Sequence, residues 1–176
     1  MKRRWHLGVA LGLISVAGLV ASTAWGGFAY TTTVSGGRET AIKVVRANVG
    51  FGFTGSDWVT PTGMKTSISI PAHGGMLTAQ VTGNAQLEQS PSNPSSPTVC
   101  WGRLVLNGHP LGTTGPTRIW AEDTPGSDVA SVTFTVFESS NRLAPGTYSL
   151  AFQTRVTPSG AHCGLHDVNM KAERFG

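Results

Sequence analysis

The chain has 176 residues, of which only 12% are charged, whereas Gly, Ser, Thr and Val are frequent. This length is enough for one domain with a real core, and the composition suits short strands and tight turns better than helices. The formal net charge is +4, but three cations lie within the first four residues, which leaves ten Lys and Arg against nine Asp and Glu. The small remaining excess predicts no basic patch and no nucleic-acid partner.

The first 24 residues have the pattern of a secretory signal peptide. A basic start precedes an apolar run over residues 7–20, and small residues follow. We expect cleavage after Ala24, with Ala29 as the second choice, and therefore a secreted or cell-surface protein that does not contact the membrane after cleavage. An uncleaved anchor is the alternative, because residues 5–30 could just cross a bilayer.

Two further regions follow this leader. Residues 25–40 are rich in Thr, Ser and Gly without a clear period, and we interpret them as a flexible tether. Residues 41–176 are interpreted as one domain of about eight short strands, because apolar and polar residues alternate with period two, most cleanly over residues 129–137. Residues 107–108, Asn-Gly, are typical of a tight type I′ hairpin turn.

Residues 98–107 differ from the other predicted strands because they are apolar on both faces. Such a pattern predicts a central strand that is covered on both sides. Arg103 is the exception on this strand, and it needs a partner or a route to solvent.

Cys100 and Cys163 are the two cysteines of the chain. In an exported protein they most simply pair with each other, and the closed loop would contribute about 4 kcal/mol by the chain-entropy estimate. In a chain that is not exported, both thiols would instead be free and buried. The disulfide prediction therefore depends on the signal peptide.

Strands with one polar face predict an all-β fold of two packed antiparallel sheets, a β-sandwich. The strand spacing allows a jelly roll or an immunoglobulin-like sandwich. Trp101, directly after the first cysteine, is out of place for the immunoglobulin pattern, although Trp120 could serve. We therefore favour a jelly roll.

Three segments carry a family resemblance: residues 66–75 (TSISIPAHGG), 100–108 (CWGRLVLNG) and 143–150 (LAPGTYSL). Together they resemble small exported bacterial β-sandwich domains of unknown function, in which a Gly-rich hairpin precedes a Cys-bearing strand. More distantly, the pattern is similar to the jelly rolls of C1q and tumour necrosis factor. Because those trimerise, the resemblance implies a homo-oligomer as one expected state. It implies no functional residue.

Two groups of residues are candidates for binding. Trp58 and Trp120 could form an aromatic platform for a sugar or a peptide, and turn residues flank Trp58. His162, His166 and Asp167 are the densest group of metal-ligand types. Residues four apart on a strand are about 13 Å apart, however, which is too far for one ion unless the segment bends. We therefore expect no metal and no cofactor.

No catalytic residue is assigned. The sequence has no Gly-x-Ser-x-Gly motif, and a paired cysteine is not a nucleophile. We therefore predict a binding module for an unknown protein or glycan rather than an enzyme. A secreted hydrolase with a loop-built active site and a structural envelope component are the alternatives.

Overall fold

The computed structural model describes residues 29–35, 41–47, 50–88, 97–122, 131–158 and 160–175. In these ranges every regular element is a strand, and none of the described segments is a helix able to span a membrane. The predicted signal peptide, residues 1–24, lies outside them. The strands are β1 (Ala29–Ser35), β2 (Ala41–Ala47), β3 (Phe51–Thr54), β4 (Lys65–Ile70), β5 (Met76–Glu88), β6 (Thr98–Leu106), β7 (His109–Pro110), β8 (Thr117–Glu122), β9 (Ser131–Ser139), β10 (Gly146–Thr157) and β11 (His162–Phe175).

The strands form two antiparallel sheets. The large sheet runs β1-β2-β11-β5-β9, and β3 pairs with β11 beyond the end of β2. The small sheet runs β4-β10-β6-β7, and β8 also pairs with β6. From β3 onwards the chain changes sheet between successive strands, except from β6 to β8, and this is the strand order of a jelly roll. The two-sheet antiparallel sandwich predicted from the sequence is confirmed.

The tether prediction is wrong for residues 29–35. These residues form β1, which pairs along its whole length with β2 at the edge of the large sheet. Four of the seven are Thr or Val, and β-branched side chains favour an extended, pleated backbone. A segment with little apolar content is thus ordered here by a backbone ladder.

The described ranges contain eleven strands rather than about eight, because some of the predicted strands divide into shorter ones. Residues 41–53, in which apolar and mostly polar residues alternate, divide into β2 and β3, which line one edge of β11 in succession. The predicted turn at Asn107 and Gly108 adds the two-residue β7. Both turn residues have positive φ, 50° and 85°, as a type I′ turn requires.

The inner faces of the two sheets meet in one core. Phe134 of β9 in the large sheet stacks on Phe152 of β10 in the small sheet, with the ring centroids 6.1 Å apart. Cys100 of β6 and Cys163 of β11 are fully buried and form the predicted disulfide, with their Cα atoms 6.2 Å apart. The disulfide therefore links the two sheets through the core.

The central position predicted for β6 is confirmed, since β10 lies on one side of it and β7 and β8 on the other. Its inner face contributes Cys100 and Leu104 to the core, whereas Trp101 and Arg103 on its outer face are only half-buried. The outer face is therefore not covered by a second layer along its whole length.

We expect the Cys100→Ala/Cys163→Ala double variant to keep the jelly roll but to lose about 4 kcal/mol of unfolding free energy, because the unfolded chain regains the entropy of an open loop. Urea unfolding followed by tryptophan fluorescence measures this loss. Reduction of the unmodified protein should produce a similar loss. An unfolding free energy equal to that of the oxidised protein would contradict the prediction.

Candidate functional site

The two candidate tryptophans lie in different environments. Trp120 is partly buried against the core and stands opposite Cys100 in the β6–β8 ladder. Its indole Nε1 is buried and has no hydrogen-bond partner. Trp58 lies on the outer side of the small sheet, against two arginines. The two rings therefore do not form one platform, and Trp58 alone faces outward.

Trp58 is held at the small sheet by backbone hydrogen bonds on either side of it. Val59 N–H donates to Thr154 O at 2.9 Å, and Thr154 N–H donates back to Val59 O at 2.8 Å. Val156 N–H also donates to Gly55 O at 3.1 Å. The segment between β3 and β4 thus extends the sheet beside the second half of β10 and fixes the indole over its outer face.

Two guanidinium groups contact the ring of Trp58. The Cζ atom of Arg103 lies 4.1 Å from the ring centroid, and that of Arg155 lies 4.7 Å from it. Both distances are within the range of a cation–π contact. One indole therefore holds two like charges close together.

Gln153 is the hydrogen-bond partner of Arg103. The Nε and Nη2 atoms of Arg103 donate to Gln153 Oε1 at 2.9 and 2.8 Å. Arg103 thus has the hydrogen-bond partner that the strand pattern predicts, but this partner is a neutral amide. The positive charge of Arg103 is therefore solvated and not neutralised.

The guanidinium group of Arg155 has fewer polar contacts than that of Arg103. Its Nε atom is buried without a hydrogen-bond partner, and in the described part of the chain its guanidinium forms no ion pair. Burial first, and the charge of Arg155 second, lower the pKa of Arg103 from its ordinary value. An arginine nevertheless stays protonated in a protein, so both charges persist.

Strand register explains why these side chains meet. In the β6–β10 ladder, Arg103 stands opposite Gln153 and Trp101 stands opposite Arg155. Residues directly opposite each other project to the same face of an antiparallel sheet, as do residues two apart on one strand. All four therefore lie on the outer face.

The same row continues onto β8. Arg118 stands opposite Trp101 and is exposed. The β6–β8 register shifts between Cys100 and Trp101, so that Arg118 and Trp120, although two apart on β8, lie on opposite faces. Trp101 is half-buried, and its Nε1 donates to Thr157 Oγ1 at 3.0 Å. We call the surface formed by Trp58, Trp101, Arg103, Arg118 and Arg155 the basic face.

The sequence-based prediction of no basic patch is therefore wrong for the folded chain. Arg103, Arg118 and Arg155 lie far apart in sequence, and the near-neutral charge of residues 25–176 gives no sign that they are neighbours. Only Arg103 carries a local signal, as a charge on an apolar strand. Arg118 and Arg155 occupy ordinary outward positions, so the sheet register was needed to bring them together.

The candidate metal ligands all lie in the first half of β11. The rings of His162 and His166 lie over Gly52 and Gly50, close to where a Cβ atom would stand. Asp167 has φ of 52° and is exposed at a register shift of β11. Among the described residues, no three or more His, Cys, Asp or Glu side chains are grouped to hold a metal ion. The two histidines instead pack against glycines at the sheet surface.

A depression of about 560 Å³ lies on the outer face of the large sheet, between β2, β11 and β5. Its lining includes Arg46, Asp167 and Lys171, so it contains both signs of charge. Lys171 also forms an ion pair with Glu173, with Nζ 2.6 Å from Oε1. In contrast to the basic face, charges here are balanced by nearby carboxylates.

A second depression, of about 470 Å³, contains His109 and the carboxylate of Glu138. Glu138 is buried and accepts a hydrogen bond from Thr114 Oγ1. A Cβ atom at Gly112 would overlap this carboxylate, so the carboxylate packs directly on the loop that follows β7. Glu138 therefore fixes the loop against β9.

No family model and no curated protein matches the chain. Among solved structures, it is similar to a beta-glucosidase from Paenibacillus barengoltzii (18% identity, TM-score 0.30), over 71% of this chain and 10% of that chain. It is also similar to dimeric latent PorU from Porphyromonas gingivalis (11% identity, TM-score 0.37), over 88% of this chain and 14% of that one.

A third similar structure is the CBM22-1 xylan-binding domain from Paenibacillus barcinonensis Xyn10C. The identity is 11% and the TM-score 0.29, over 80% of this chain and 83% of that domain. The chain spans only 10% and 14% of the length of the first two proteins. At these TM-scores the comparisons carry no argument about the site.

We expect Arg155→Met to raise the free energy of unfolding by about 1 kcal/mol. The change removes a buried donor without a partner and a like-charge repulsion, which together outweigh the lost cation–π contact. Urea unfolding measures the change. Arg142→Met is the control, because the Nη2 of Arg142 donates to His73 O at 2.6 Å on an exposed loop. That variant should not gain stability.

If Arg155→Met instead lowers the free energy of unfolding by more than about 1 kcal/mol, a change beyond the usual range for surface substitutions, the interpretation that Arg155 destabilises the fold is wrong. It would mean that the folded state stabilises the guanidinium of Arg155.

Proposed function

We propose that this protein is an extracellular binding module that holds an anionic ligand on its basic face. The observation that carries the proposal is the pair Arg103 and Arg155, stacked on one indole and paired with no carboxylate among the described residues. This pair has only the neutral Gln153.

The chemistry of the pair favours a carboxylate, sulfate or phosphate group. Guanidinium groups donate parallel hydrogen bonds to such anions, and charge-assisted bonds of this kind are about twice as strong as neutral ones. An anion placed between Arg103 and Arg155 would also reduce their mutual repulsion. Binding energy would therefore come from compensating charges that the fold already holds close together.

The chemistry of the basic face favours binding over catalysis. It offers arginines, indole rings, an amide and a hydroxyl group, which donate hydrogen bonds or stack. An arginine does not exchange its proton near neutral pH, so it is not a general acid or base. We therefore propose a non-enzymatic role, and the hydrolase alternative has no comparable cluster to support it in the described ranges.

An extracellular location is supported by the oxidised cysteine pair. Disulfides such as Cys100–Cys163 persist in oxidising compartments and are rare in the cytosol. The basic, then apolar, start of the sequence is consistent with export. We propose that the mature protein meets its ligand outside the cell.

Electrophoresis through gels with dextran sulfate or with plain dextran tests the proposal, because the two polymers differ in charge and share one backbone. We expect dextran sulfate to retard the protein and plain dextran to leave it unaffected. Arg155→Gln should raise the dissociation constant obtained from the retardation at least about tenfold, because it removes a charge-assisted hydrogen bond to the anion. Added salt should weaken it as well.

Lys171→Gln is the matched control, since it removes one positive charge from the outer face of the opposite sheet. It should keep most of the binding. Equal effects of Lys171→Gln and Arg155→Gln would show a net-charge effect and would overturn the assignment to the basic face. Equal retardation by dextran sulfate and plain dextran would contradict the proposal that the ligand is anionic.

A further inference from the structure

The basic face extends beyond the Trp58 cluster. Arg155 on β10, Trp101 on β6 and Arg118 on β8 stand in one row across three adjacent strands. Neighbouring strands are about 4.8 Å apart, so the backbone positions of Arg155 and Arg118 are about 10 Å apart. An indole ring lies between the two cationic positions.

The two ends of this row differ. At the β10 end, Arg103 and Arg155 share the ring of Trp58. At the β8 end, Arg118 is exposed and, in the described part of the chain, has neither a hydrogen bond nor an ion pair. The face thus offers a stronger and a weaker cationic subsite, separated by Trp101.

We infer that the ligand is an anionic polysaccharide, a chain of sugars that bear carboxylate or sulfate groups and lies across β10, β6 and β8. The inference rests on the proposed function. One anionic group meets Arg103 and Arg155, and a second, about 10 Å further along, meets Arg118. The sugar between them packs its C–H face against Trp101.

Neutral polar groups along the row favour sugar over other polyanions. Gln153 accepts from Arg103 through Oε1, which leaves its amide N–H groups to donate to hydroxyls. The hydroxyl of Thr157, which accepts from Trp101, borders the same row. An oligomer of aspartate or glutamate has no ring to lie on the indole. Single-stranded nucleic acid is bound in a continuous positively charged groove that tracks its backbone, whereas this row offers two separate cationic positions.

Calorimetric titration with oligogalacturonates of increasing length, from the monomer to the hexamer, tests the inference on the unmodified protein. We expect the dissociation constant to fall at least about tenfold once the oligomer spans both subsites, because the second contact is intramolecular. Arg118→Gln should abolish this gain, so that the dissociation constant no longer falls with oligomer length. Arg155→Gln should weaken binding at every length.

Arg118→Lys keeps the charge and should retain part of the length dependence. An oligoglutamate and a single-stranded oligonucleotide of equal charge are the comparison ligands, and both should bind at least about tenfold more weakly. The oligoglutamate has no ring to lie on Trp101, and the oligonucleotide backbone requires a continuous cationic groove. Equal affinity for either one would overturn the inference.

The outcomes separate the two proposals. Anion binding that is independent of length, or of Arg118, would overturn the polysaccharide inference and leave the anion site intact. No binding of any anion would overturn the proposed function itself.

Discussion

The antiparallel register between β6 and β10 is the constraint on which the rest of the structure depends. It pairs Cys100 with Val156 on the inner face and Trp101 with Arg155 on the outer face. A slip by one residue would exchange the two faces, so that cysteine would face solvent and an arginine would enter the core. One set of backbone hydrogen bonds thus fixes both features: Cys100 of the disulfide on the inner face of these strands, and the basic face on their outer face.

The basic face has an energetic cost that the fold tolerates. Arg103 and Arg155 repel each other, and the buried Nε of Arg155 lacks a partner. Natural proteins are rarely at their stability optimum, and relieving strain at a functional site often costs function. The large sheet shows the opposite arrangement, in which Lys171 is balanced by Glu173.

Local sequence patterns were sufficient for the fold class, since alternation, the Asn107–Gly108 turn and the cysteine pair each depend on residues with a recognisable signal. They were insufficient for β1, whose Thr-rich residues are ordered by pairing with β2. They also could not locate the basic face, because Arg103, Arg118 and Arg155 meet only through the long-range register. Of the two candidate tryptophans, Trp58 faces outward. Trp120 packs against the core because the β6–β8 register places it opposite the buried Cys100.

The most direct measurement of the central claim is an NMR titration of the protein with sodium glucuronate, followed through the Nε–H signals of arginine and the Nε1–H signals of tryptophan. If the basic face binds anions, the signals of Arg155, Arg103 and Trp58 shift together and saturate with glucuronate, and glucose leaves them unchanged. Shifts confined to the large sheet around Arg46 and Lys171, or equal shifts with glucose, would contradict the account.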